Sequence, residues 1–188
     1  MVYKLPGTVL EMPPGGAADM EGVFASMFLT GGLVLSQVAQ ITGLEPYTVQ
    51  NWVKRGFLAP PVRKKYSRRQ LSRIIIINML KGVMPMEQIC KMIGYINGQL
   101  DDESDDSIDD SRLYLYFLRA LEANTAEDGR RMQQLCYLLE DYQEPTPGDR
   151  ERVAQVLDVM LTAWQSVQLS QKAMEKMEFL NKENKIGG

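Results

Sequence analysis

A chain of 188 residues, 45% hydrophobic and 24% charged, is long enough for one sizeable soluble domain or two small ones sharing an interface. No apolar run approaches the roughly 20 residues of a membrane helix, and the opening MVYKLPG lacks a secretory signal's basic-then-apolar plan, so a cytoplasmic protein with no membrane partner is expected. The net charge is -3 and histidine is absent, which removes the commonest general base and transition-metal ligand; no enzyme, cofactor or metal is expected.

Residues 1–18, with Pro6, Pro13, Pro14 and a Gly-Gly pair, read as an extended lead-in. Asp19 can cap a first helix over about 20–30, closed by Gly31. Ser36 can cap a short helix over 36–42 that Gly43 ends. Pro46 opens a second short helix reaching about Arg55, with Gly56 as its breaker. The segment PPVRKKY, 60–66, suits a short extended hairpin or loop. Ser67 and Gln70 then form a capping box for a helix over about 68–81, whose ends favour helix despite the β-prone run Ile74 to Ile77. Pro85 starts another helix through about Ile96.

The run DDESDDSIDD, Asp101 to Asp110, holds seven acids and no base. Such a run reads as a solvated linker, and more sharply as a mask over a basic surface. Helices follow over about 111–123, 126–142 (Thr125 and Asp128 as a capping box) and 147–184, with Thr146 as cap and Pro147 at the first position. Along the last, Val153, Leu157, Met160, Trp164, Val167 and Met174 form a coiled-coil-like stripe, read as bundle core for part of its length and dimer seam for part. Cys90 and Cys136 match no zinc or redox spacing and read as buried free thiols.

The charge is segregated. Between Pro46 and Met86 stand nine basic residues and no acid, the footprint of a local nucleic-acid surface. Leading into it, Ala39, Gly43 and Val49 take the helix-crossing, turn and anchor positions of a helix-turn-helix, with Val38, Leu44 and Trp52 completing the inward face. Tyr47, Thr48, Gln50, Asn51, Lys54 and Arg55 are then left to point outward. Gln50 and Asn51 have the geometry to read adenine, and the cations suit phosphate or guanine. Arg63, Lys64 and Lys65 add phosphate candidates on the following loop. Tyr66 is expected to pack that loop on the core. Arg68 and Arg69 could decorate a helix start, and Arg73 could face either way.

The order that follows, Gly56-Phe57-Leu58, Pro60-Pro61, a basic loop, Tyr66-Ser67 and a capped apolar helix, resembles the MerR group of bacterial regulators over residues 34–96. That group has a recognition helix, a G-L-L-x-P turn, a basic wing, a Y-S helix start and a second helix pair. Here the wing is shorter, the G-Y-R segment is missing, and Gln50 stands where the group often has arginine. The run Lys64 to Gln70, the isoleucine-rich helix and Leu80 to Val83 are also similar to the uncharacterised bacterial family called domain of unknown function 1836.

The resemblance implies an all-α fold. A MerR-like winged helix-turn-helix domain (19–98) with a short basic wing would follow the lead-in (1–18). After it would come an acidic linker (99–110) and a helical dimerisation or effector bundle (111–188) with a long last helix. It also implies a homodimeric transcriptional regulator of double-stranded DNA, with no motif to identify a small-molecule effector. The competing expectation is an interaction adaptor that docks an acidic protein on the same surface.

Overall fold

The computed structural model describes residues 4–98, 100, 106–123 and 129–186, with side chains as far as residue 181. Among these residues the chain is all-helical: α1 (Ala17–Met27), α2 (Leu35–Thr42), α3 (Pro46–Lys54), α4 (Arg68–Leu80), α5 (Met86–Asn97), α6 (Asp110–Glu122), α7 (Arg131–Leu138) and α8 (Asp149–Ile186). Extended pairing among them is limited to three isolated antiparallel bridges, Lys4 with Glu11, Leu33 with Tyr66, and Val62 with Lys65.

Helix α4 explains the arrangement. Its residues Leu71 to Ile77 are all buried, Ser72 and Arg73 included, and a helix buried on every side can lie only at the centre of a protein. Helices α2, α5, α6 and α8 all pack against it. The Ser67 capping box forms as the spacing demands: the Ser67 hydroxyl accepts from the Gln70 amide at 3.2 Å, and the Gln70 side chain accepts from the Ser67 amide at 2.9 Å. A second layer of helices covers the centre, with Phe24 of α1 on Tyr114 of α6 and the α7–α8 pair against the far end of α6.

The first described residues are not an extended lead-in. Residues 4–11 fold into a tight hairpin, with Leu5 and Leu10 joined at 2.9 Å and Leu5 buried. Gly7 has a φ of +75°, and a side chain there would meet the Ile75 carbonyl oxygen at 2.3 Å, so the hairpin seats directly on α4 only because position 7 is glycine. The Tyr114 hydroxyl donates to the Pro6 carbonyl at 2.8 Å and fixes it from the α6 side. Helix α1 starts at Ala17, earlier than expected, because Glu122 accepts from the Ala17 amide at 2.6 Å. Asp19 therefore lies inside the first turn and accepts from the Gly15 amide rather than capping. Likewise α2 starts at Leu35, one residue before Ser36.

The solvated-linker expectation fails where it can be seen. Residues 101–105 lie outside the described residues, but Asp106 to Asp110 pack onto α4. Asp106 pairs with Arg69 at 2.5 Å, Asp109 caps α6 by accepting from the Ser111 amide at 2.8 Å, and Asp110 is completely buried. The Asp110 carboxylate accepts from Arg73 at 2.8 Å and from Asn97 at 2.9 Å. Burial pushes this carboxyl up, and the Arg73 and Arg69 guanidinium groups pull against it. Arg73 is thereby placed on the inner face of its helix.

The expected capping box at Thr125 and Asp128 lies outside the described residues, and α7 covers only 131–138. Helix α8 begins at Asp149 rather than Pro147, because the Asp149 carboxylate reaches back to the Thr146 amide at 3.0 Å. Its first half is core: Val153, Leu157 and Met160 are buried and Trp164 is half-buried. Beyond Val167 every described side chain is exposed. The two cysteines are free and half-buried. The buried residues form one cluster from Leu5 to Ala163, so the two halves of the chain share a core. No helix among the described residues is long and apolar enough to cross a membrane.

Candidate functional site

The site is built from the turn between α2 and α3. Gly43 ends α2 with a φ of +69°, and its amide closes the helix on the Ala39 carbonyl at 2.8 Å. Val38 and Val49 are fully buried and Leu44 and Trp52 nearly so, which fixes the rotation of α3. Tyr47, Gln50, Asn51, Lys54 and Arg55 consequently face solvent. Thr48 is half-buried, and its amide donates to Glu45 at the helix start. Arg55 is engaged: it pairs with Glu87 at 3.2 Å and lies 4.6 Å from the Phe57 ring centre.

The basic loop is a minimal hairpin. The Lys65 amide donates to the Val62 carbonyl at 2.9 Å, and between them Arg63 and Lys64 have φ of +49° and +62°. Positive φ at both central residues is what a type I′ turn requires, and such turns strongly favour Asn-Gly. Two basic side chains in this conformation carry backbone strain on the order of 1–2 kcal/mol each. The loop's legs are held firmly. Leu33 and Tyr66 exchange two backbone hydrogen bonds, at 3.0 and 2.7 Å, and Gln70 donates to the carbonyls of Ala59 and Pro60 at 2.9 and 3.0 Å. Tyr66 packs inward as expected, and burial pushes its hydroxyl pKa up. Lys65 is half-buried and donates to the Thr30 carbonyl at 2.8 Å.

Helix and hairpin meet. Gln50 and Val53 of α3 line one groove of about 360 Å³ together with Pro61, Lys64 and Tyr66. The turn thus places the Lys64 side chain on the same concave face as Gln50, while Arg63 and Lys65 line the hairpin's other side with Arg69 and Arg73.

The nine-residue basic run does not survive folding as one patch. Arg68 makes a two-pronged pair with Glu21, both contacts at 2.7 Å, which holds the Glu21 carboxyl below its ordinary range. Arg69 and Arg73 are taken by Asp106 and Asp110. Lys81 lies 5.8 Å from the Trp52 ring centre, and burial lowers its pKa. Among the described residues, only Lys54, Arg63 and Lys64 of the site cations are exposed with neither an ion pair nor a side-chain hydrogen bond. Sequence spacing also gave no hint of Asn78, whose amide donates to the carbonyls of Thr42 and Gly7, each at 2.9 Å, and so anchors the end of α2. A polar residue set directly after four isoleucines was the available signal.

No solved structure matches this chain. It is 29% identical over 104 residues to the uncharacterized protein YkrK of Bacillus subtilis (strain 168), a match covering 53% of this chain and 45% of that protein. The chain therefore spans less than half the length of this curated relative. Residues 32–117 match the family described as "Domain of unknown function (DUF1836)", a stretch that takes in the α3 face, the strained hairpin and the buried Arg73–Asp110 pair.

Proposed function

We propose that this chain is a transcriptional regulator that binds duplex DNA, with α2–α3 and the 62–65 hairpin acting as a winged helix-turn-helix. The observation that carries the reading is the hairpin tip: Arg63 and Lys64 hold a conformation that small residues would hold at lower cost, beside a helix exposing Gln50 and Asn51. Tyr47, Gln50 and Asn51 read base edges, while Lys54, Arg63 and Lys64 hold phosphates. Arg55 and Lys65 join by exchanging their present partners, Glu87 and the Thr30 carbonyl, for phosphate. Thr48, half-buried, contributes from the start of α3.

The regulator works as a homodimer. Leu169, Met174, Met177, Phe179 and Leu180 are all exposed on the second half of α8. Nine residues on a helix are two and a half turns, so Leu169 lies opposite the buried Met160, and Ala173 opposite Trp164. Met174, by contrast, stands two heptads beyond Met160 on the stripe that is core earlier in the helix, and the occupant of this exposed half of α8 is a second copy of this chain.

Selection from a random duplex pool, followed by fluorescence anisotropy with an enriched duplex, tests the reading. Binding should fall steeply with salt as phosphates release counterions, and enrichment of a palindrome should report the dimer. No DNA affinity at low salt, with saturable capture of an acidic protein instead, makes the chain an interaction adaptor.

A further inference from the structure

A cavity of about 860 Å³ opens between the N-terminal hairpin, the ends of α4 and α6, and the middle of α8. None of its lining residues belongs to α3 or to the basic hairpin. Its size is that of a small-molecule site, and its walls are apolar and adaptable: Met12, Met79 and Leu121 face Trp164. Trp164 is half-buried on this wall, and its ring offers a flat aromatic surface to the cavity's contents. Gln168 and Gln171 of α8 also line it, hydrogen-bonded to each other at 3.3 Å. The two charges at its edge, Lys4 and Glu122, are of opposite sign, and Glu122 is already held by the Ala17 amide. The cavity therefore favours no net charge.

What surrounds this cavity also holds the α2–α3 turn. Residues Lys4 to Thr8 line it, and the next residue, Val9, donates to the Ile41 carbonyl at 3.0 Å. The Val9 side chain fills the space beside Gly43 so closely that a Cβ there would lie 2.7 Å from it. Asn78, on the cavity wall, donates to Gly7 on one side and Thr42 on the other. Hairpin and asparagine are thus shared between the cavity and the end of α2.

We propose that this cavity binds a neutral, planar, largely apolar small molecule stacked on Trp164, and that its occupancy is transmitted to the α2–α3 turn through the 4–11 hairpin and Asn78. The binding step stands by itself; only its consequence for DNA rests on the function proposed above.

The probe is Nile red, a neutral planar dye that brightens in apolar surroundings, titrated into the full chain. Saturation at one dye per chain is expected, with quenching of Trp164 followed in a Trp52→Phe background. Gln168→Trp, an exposed position on α8 that tolerates a large side chain, should plug the cavity and abolish binding. Trp164→Ala should weaken binding by about tenfold or more, because the aromatic wall supplies both area and stacking. Tyr137→Ser, exposed on α7 and outside the cavity lining, should leave binding unchanged. Saturating dye should slow hydrogen exchange at the amides of Ile41 to Leu44.

Absence of saturable binding, binding indifferent to Gln168→Trp, or binding lost with Tyr137→Ser each overturns the site. Dye binding without any change in exchange at the turn overturns the coupling. A protein that binds dye and alters its turn but never binds DNA refutes the DNA reading and leaves this one intact. DNA binding in a protein with no dye site does the reverse.

Discussion

Arg63 and Lys64 separate what the fold wants from what the proposed function wants. Their positive φ values suit asparagine and glycine, whereas their charges suit phosphate. The double change Arg63→Asn with Lys64→Gly should therefore move two observables in opposite directions. Thermal unfolding should show a net gain of about 1 kcal/mol, or a rise of roughly 2–4 °C for a chain of this size, because asparagine keeps part of the left-handed cost and glycine adds unfolded-state freedom. DNA affinity should fall, and the slope of log K against log salt should become shallower by about one for each cation lost. If the variant is less stable, the strain argument fails at its root. Gln50→Ala should behave differently again, changing which duplexes are enriched while leaving the salt slope alone, since an uncharged side chain on the α3 face releases no counterions.

At the scale of elements, what could be read from the sequence was what short-range chemistry controls. The Ser67–Gln70 box, Pro46 at the start of α3 and the inward set Val38, Val49 and Trp52 are each decided within a few residues, and all formed as expected. The N-terminal hairpin was illegible because its partners, Ile75, Asn78 and Tyr114, lie far along the chain. Prolines and glycines in isolation signal only the absence of helix. This contrast can be measured by substitution. Ser67→Ala removes one cap and should cost about 1 kcal/mol. Gly7→Ala forces a side chain into the Ile75 carbonyl at an unfavourable φ, so it should cost more, about 2–3 kcal/mol. Urea unfolding of the two variants in parallel gives the order directly. A Gly7→Ala protein as stable as the parent would mean that the hairpin does not dock on α4 in solution.

At the scale of the whole molecule, the sequence's segregated charge misled in one specific way. The solvated-linker reading set the acidic run ending at Asp110 apart from the basic run of Lys54 to Lys81, whereas the mask reading laid one over the other. In the fold the end of the acidic run neutralises Arg69 and Arg73 and carries α6 onto α4. The Asp110 carboxylate joins three helices, since Arg73 comes from α4 and Asn97 from α5. A pair this buried contributes more to keeping the halves in register than to net stability, yet removing one partner strands the other, at about 3–5 kcal/mol. Asp110→Ala should therefore weaken the molecule everywhere at once. Trp52 in α3 and Trp164 in α8 report on the two ends of the shared core, and Trp164→Phe and Trp52→Phe isolate them in turn. In urea both reporters should show the same midpoint, and Asp110→Ala should lower both by the same amount. A shift confined to Trp52 would mean that the two halves fold as independent units that merely touch, and the single-core account of the 106–110 segment would have to be abandoned.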